Sequence, residues 1–348
     1  MFNRITEMGS EAFMTDNNNH VINTIGPVAE QLHKNAVVVD GHIDTLLEIV
    51  NGNVTGLTNK NDNIHVDLPR MKQGGVNVQL FAAFIEPVYK PERSLKRTLQ
   101  LISCFHKEIE ANQETISLAL SYQDIHDIVR TGKIAAVLSI EGGEAIAGDL
   151  EVLHCLYRLG VRAIGLTWNE RNEIADGIGE NSAGGGLTSF GCEVVKEMND
   201  LGMVIDVSHI TEQGFWDVIE HSEKPIIASH SNASAQCEHL RNLNDEQITA
   251  LAHHGGVMGM NFALPFIDAE NPTVSRLLDH IDHIVSLVGP DHVGLGSDYD
   301  GIPSAPEGLE DISKMPVITQ ALLDREYSQE DIRKILGGNF LRVFSKIL

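Results

Sequence analysis

The stretch "AVVVDGHIDTLLEIV", residues 36–50, runs from a β-branched apolar segment straight into Asp40, His42 and Asp44. Each of these side chains is costly to dehydrate unless something pairs or coordinates it. Alternate residues of a strand share a face, so His42 and Asp44 can point together into one pocket. Taken alone they fit a strand-end turn, with Asp40 and Asp44 capping the next segment, as well as they fit half of a metal site. Further along the chain other apolar runs end in the same residue types: Glu141 in "SIEGGE", His209 in "DVSHI", His230 in "ASHSN" and Asp298 in "GSDYDG". Imidazole and carboxylate donors without thiolate suit Zn2+ in a catalytic site, with Mn2+ or Co2+ as substitutes. One ion would take His42 and Asp44, the other His209 and His230, and Glu141 would bridge them. Two ions about 3.5–4 Å apart share a water, lower its pKa and aim the bridging hydroxide at a polarised carbonyl. That chemistry is hydrolysis. Glu141 as bridge and Asp298 as proton shuttle between the attacking water and the leaving group are the catalytic candidates.

The elements that must position these groups are short and regularly spaced. Eight β-rich apolar runs are expected as strands, at 36–40, 76–84, 134–140, 161–167, 203–208, 225–229, 256–262 and 292–297. Helix-like segments lie between them. "TSFGCEVVKEMNDLG" runs from a Thr/Ser cap to Gly202, and "NDEQITALAHHGG" begins on an Asn/Asp cap. Alternation of this kind means parallel pairing through crossovers, and eight units fit an α/β fold of the closed (β/α)8 TIM-like barrel type. All five chemistry-bearing strand ends would then converge on one mouth. A doubly wound open sheet is the runner-up, weakened because no G-x-G-x-x-G follows the first strand. Residues 1–32 read as a partly flexible N-terminal extension and 33–348 as a single catalytic domain. The glycine-rich stretch 168–186 is long enough for a binding loop or lid.

Composition narrows the partners. A formal charge of −24 over 348 residues opposes nucleic acid and anionic membrane surfaces. Four cysteines, Cys104, Cys155, Cys192 and Cys237, lie far apart, which fits reduced thiols and a cytoplasmic location. Neither a signal peptide nor a membrane span is legible. The remaining histidines, His33 and His280 among them, read as solvated or capping. Asp300 and Glu144 could join the mouth but are more simply turn residues beside glycines.

The series "DGHIDT", "SIEGG", "LTSFGCEVVKEMNDLGMVIDVSHI", "PIIASHSNA", "RNLNDEQI" and "VGLGSDYDG" resembles the membrane (renal) dipeptidase family of binuclear zinc peptidases, in order from about residue 36 to 340. The resemblance implies a (β/α)8 barrel, commonly a homodimer, that hydrolyses small dipeptides, often with a D-residue at the C-terminal position and sometimes β-lactam rings. It gives His42 and Asp44 to one zinc, Glu141 to both, His209 and His230 to the other, and the acid/base role to Asp298. It adds Arg241 as the clamp for the substrate carboxylate, a role its planar fork suits. One departure stands out: the family's substrate-contacting histidine after the fourth strand is here Trp168, with Asn169 or Asn172 as neighbours that could take its place. The expectation is therefore a cytoplasmic dipeptidase with two Zn2+ per chain and Arg241, Trp168 and Asn169 on the substrate. The alternatives are another binuclear amidohydrolase, acting on a cyclic amide, β-lactam or lactone, and a barrel that binds metal or peptide without turnover.

Overall fold

In the computed structural model, which describes residues 24–348, each of the eight apolar runs contributes a strand to one parallel barrel. The strands are β1 (Val38–Ile43), β2 (Val76–Phe84), β3 (Ile116–Leu118), β4 (Ile134–Glu141), β5 (Val161–Gly165), β6 (Val204–Asp206), β7 (Ile227–Ala228), β8 (Val257–Met260) and β9 (Val293–Leu295). Round the barrel the order is β2, β1, β9, β8, β7, β6, β5, β4, and pairing of β2 with β4 closes the ring. The extra strand, β3, is too short to show a period of two. It pairs with β4 at Ile134, below the point where β5 takes over at Leu138.

Alternation along the strands builds two apolar layers. Val39, Val78, Val137, Ala163, Val204, Ile227 and Val257 form one cluster, while Val38, Phe81, Leu138, Ile140 and Ile205 belong to a second. The C-terminal helix Asn339–Ile347 adds Phe340, Val343 and Phe344 to the first cluster and plugs the barrel. A Cβ at Gly41 or Gly294 would come within 2.8 or 2.5 Å of the Phe340 ring, so glycine there makes room for the plug. The caps legible in the sequence also form: Thr188 accepts from Gly191 N, Gly202 closes the same helix at φ 72°, and Asn244 makes a capping box with Gln247. Among the described residues, no helix is long and apolar enough to cross a membrane.

The expected domain boundary at residue 33 falls inside a helix, Pro27–Asn35, whose Ala29, Leu32 and His33 are buried. Residues 27–32 therefore pack on the barrel, while residues 1–23 of the expected extension lie outside the described residues. His33 and His280 are corrections to the sequence reading, since both are buried cross-links. His33 Nε2 donates to Gly74 O at 2.8 Å and its Nδ1 accepts from Thr319 Oγ1 at 2.7 Å. His280 does the same between Ile267 O (2.9 Å) and Ala233 N (3.1 Å). Ala233 N–H requires a bare Nδ1 on His280, so that ring is satisfied only when neutral, and burial holds both rings below the ordinary value of 6.5. Because the unfolded chain then binds the proton more readily, the stabilisation is whole above about pH 6.5 and is lost as pH falls through the folded-state values. Wild type should lose more of its urea midpoint between about pH 7.5 and about pH 5 than His33→Gln does. Equal losses would remove His33 as a source.

Candidate metal centre

The strand ends bring the five ligand candidates together. His42, Asp44, Glu141, His209 and His230 are all buried, and they fall into two overlapping groups: His42, Asp44 and Glu141, then Glu141, His209 and His230. Glu141, the last residue of β4, stands between them. Its Oε2 lies 3.5 Å from His42 Nε2, and its Oε1 lies 2.8 Å from His209 Nε2 and 3.7 Å from His230 Nε2. Asp44 Oδ2 is 3.3 Å from His42 Nε2. Asp298 joins His42 and His230 in a third group, beside but not within the first two. Asp40, by contrast, is structural: Ser297 N and Oγ donate to it at 2.7 Å each, and Gln79 Nε2 at 3.2 Å.

The proton positions show that a cation fits here. His209 Nδ1 faces Asn169 Oδ1 at 2.9 Å, an acceptor, so the ring proton sits on Nδ1. His230 Nδ1 faces Ser229 Oγ at 2.7 Å, whose own proton goes to Asp206, so this ring is also protonated on Nδ1. Two bare Nε2 lone pairs therefore meet 2.9 Å apart, with the Glu141 carboxylate beside them. Lone pairs at that distance repel unless a positive charge lies between them. His42 Nε2 and Asp44 Oδ1 complete the pattern, being buried without any hydrogen-bond partner. Nitrogen and oxygen donors in this arrangement suit a pair of divalent ions.

Charge in the bare chain tells the same story. Burial opposes ionisation at His42, yet Asp44 and Glu141 raise its pKa well above 6.5, so a proton collects where cations would bind. Burial pushes the opposite way at Glu141, but His42 and His209 hold it well below the usual carboxylate range. Burial and Arg241 lower His209 to about 4, and burial with His42 takes His230 well below 6.5. Burial raises Asp44 to about 7, against the pull of His42. Asp298 is raised to about 6 by burial, with Glu141 adding to the effect and His42 opposing it.

The centre opens into a cavity of about 480 Å³ lined by Phe84, Trp168, Asn169, Arg241, Phe266, Asp298 and Ile302 among others. Arg241 is buried, donates to Ser208 O and to His230 O, and has no hydrogen-bond partner for its Nε. Burial lowers its pKa to about 10, so it remains a cation. Trp168 packs its ring against Phe84 at 5.2 Å and under the Lys90 ammonium at 5.0 Å, as a wall of the cavity. Asn169 lines the cavity too, but its carbonyl is spent on His209. Asn172 is a loop tie: its Oδ1 accepts from Ile174 N, and its Nδ2 donates to Leu166 O. The stretch 168–186 is thus bonded to the centre, and its first two residues line the cavity. Gly177 is obligatory in it, since a Cβ there would sit 2.1 Å from Trp168 O.

Asp298 Oδ2 accepts from Asn261 Nδ2 at 2.9 Å, and its backbone takes the left-handed conformation at φ 63°. Glu144 is drawn away from the mouth by Lys90 at 2.7 Å. Asp300 touches the cavity, but its carboxylate is engaged by Thr45 Oγ1 and His65 N. Sequence reasoning missed Asn261, Asp206 and Ser229. The last two lie within one to three residues of candidate ligands in the motifs already quoted, which is a signal of place but not of partner.

Against this geometry, the model of one family, membrane dipeptidase (peptidase family M19), matches residues 28–348. A dipeptidase, verJ of Clonostachys rogersoniana, is 36% identical over 296 residues, covering 81% of this chain and 76% of its own. Two solved structures superpose over 90% of the chain. A metallo peptidase of Rhodobacter sphaeroides, liganded with a phosphinate mimic of L-Ala-D-Ala, has a TM-score of 0.86 at 28% identity, with 99% of its own chain covered. A dipeptidase AC of family M19 has a TM-score of 0.85 at 30% identity and 98% coverage.

Proposed function

Since the chain belongs to the membrane dipeptidase family, peptidase family M19, and is a metallo-dipeptidase, we propose that it hydrolyses small dipeptides, L-Xaa-D-Xaa among them, using two Zn2+ ions. His42, Asp44 and Glu141 would hold one ion, and Glu141, His209 and His230 the other. The observation that carries this reading is the convergence of bare ring nitrogens on a shared carboxylate, beside a cavity with a buried guanidinium. When bound, the ions acidify a shared water and polarise the scissile carbonyl.

The chain's own residues supply the rest. Arg241, seated against the backbone after β6 and β7, receives the substrate carboxylate at its unpartnered edge. Phe84 ends β2, which lies four strands from β7 in either direction round the ring and hence across the mouth. A dipeptide anchored on Arg241 therefore lies over the centre with its N-terminal side chain toward Phe84 and Trp168. Phe266 and Ile302 give the C-terminal side chain an apolar wall without a hydrogen-bonding group to select one hand. Asp298 Oδ2 is held by Asn261, which leaves Oδ1 to take a proton from the attacking water and return it to the leaving amine. The Rhodobacter relative's L-Ala-D-Ala mimic supports a D-residue on the Arg241 side. Free cysteines and the acidic composition support a cytoplasmic setting, and the family resemblance a homodimer.

The test is amino-acid release from L-Ala-D-Ala and L-Ala-L-Ala by protein stripped with chelator and then given Zn2+. Release that depends on added metal is expected for both peptides. Absence of release with two ions demonstrably bound would sink the dipeptide reading and point to a cyclic amide.

A further inference from the structure

Behind His230 lies a buried chain of polar atoms that neither the ions nor the substrate touch. Asp206 Oδ1 accepts from Ser208 N at 3.0 Å, Ser208 Oγ at 2.6 Å and Ser229 N at 2.9 Å. Asp206 Oδ2 accepts from Ser229 Oγ, and that oxygen lies 2.7 Å from His230 Nδ1. A hydroxyl has one proton to give. Since Ser229 gives it to Asp206, its lone pair must accept from His230, which places the ring proton on Nδ1 and leaves Nε2 bare.

The backbone is built to hold this arrangement. A Cβ at Gly41, Gly259 or Gly296 would lie 2.7, 2.1 or 1.8 Å from Ser229 O. These glycines come from β1, β8 and the residue just past β9, and they let the end of β7 be drawn inward where no side chain would fit. His209 has a different support, the neutral amide of Asn169. Two ligands of the same ion are thus backed differently, one by an amide and the other by an anion acting through a hydroxyl.

We propose that Asp206 and Ser229 are positioning residues that set the proton on His230 and thereby the affinity of the ion it shares with His209, an inference that rests on the two-ion reading above. Partners of this kind behind a metal-bound histidine orient the ring and raise its basicity. The geometry also predicts an unusual consequence of Asp206→Asn. Two backbone N–H groups require an acceptor at the Oδ1 position, so the amide must place its NH2 where Oδ2 was, facing Ser229. The amide then donates to Ser229, the hydroxyl turns its proton toward His230 Nδ1 at 2.7 Å in preference to Ser208 Oγ at 3.2 Å, and the ring carries its own proton on Nε2. That proton points at the ion.

The experiment is a titration of metal-free protein with Zn2+ against a competing chelator, together with nitrogen-15 NMR of the imidazoles. Ser229→Ala should weaken the His209–His230 ion by about 10–100-fold. Asp206→Asn should weaken it further. The double variant should recover to the Ser229→Ala level, because without the hydroxyl the reversed polarity cannot be transmitted. Additive losses, or wild-type affinity in Asp206→Asn, would overturn the proposal. If a variant does not fold, the wild-type spectrum decides: the His230 proton is expected on Nδ1, and finding it on Nε2 refutes the relay. A wild type that binds no ion would refute the two-ion reading instead, and the same spectrum would still test the relay by itself.

Discussion

Asp298→Asn is expected to keep both ions and to lose about 10²–10⁴-fold in turnover, the usual worth of a positioned acid/base group. The substitution is close to silent for the backbone, because asparagine tolerates the left-handed conformation that Asp298 adopts at φ 63°. Its amide oxygen can keep the bond from Asn261 Nδ2, which puts the NH2 at the position of Oδ1. An NH2 there cannot receive the proton of the attacking water. The measurement pairs kcat for L-Ala-D-Ala with metal content on the same sample. Wild-type turnover would end the proton-shuttle assignment. Loss of an ion would instead make Asp298 a ligand, as its place beside His42 and His230 allows.

Glu141→Gln is expected to remove the metal itself. One carboxylate oxygen faces His42 and the other faces His209 and His230, so this single side chain serves both halves of the centre. A neutral amide offers one oxygen and turns an NH2 toward the other half, adding a donor where an electron pair is needed. Metal content should fall toward zero after desalting. Zn2+ at about 100-fold above its Kd stabilises a protein that binds it by about 2.7 kcal/mol, so wild type should gain in thermal midpoint on adding Zn2+ while Glu141→Gln should not. An equal gain in the two proteins would mean that Glu141 is not the shared ligand. Together the two variants separate holding the ions from moving the proton.

The barrel and the donors of its centre were legible for a simple reason. Parallel strands buried on both faces must be apolar, so Asp44, Glu141, His209, His230 and Asp298 stand out at the ends of such runs. A (β/α)8 barrel gathers those ends at one mouth, and the distances about Glu141 show the convergence. Arg241 was legible only through the family resemblance, because its burial depends on carbonyls of Ser208 and His230 far from it in the chain. The buried roles of His33 and His280 were hidden for the same reason, each ring being satisfied by two remote partners.

By itself, then, the sequence determined the fold class, the donor types and their order round the barrel, since periodicity and residue chemistry are local properties. Only the tertiary structure decided where the protons lie. Asn169 accepts from Nδ1–H of His209, and Ser229, whose own proton is given to Asp206, accepts from Nδ1–H of His230. It also decided that Trp168, packed against Phe84 and the Lys90 ammonium, is a wall. These outcomes depend on the direction of single hydrogen bonds and on contacts between residues brought together by folding, and no spacing along a chain encodes either.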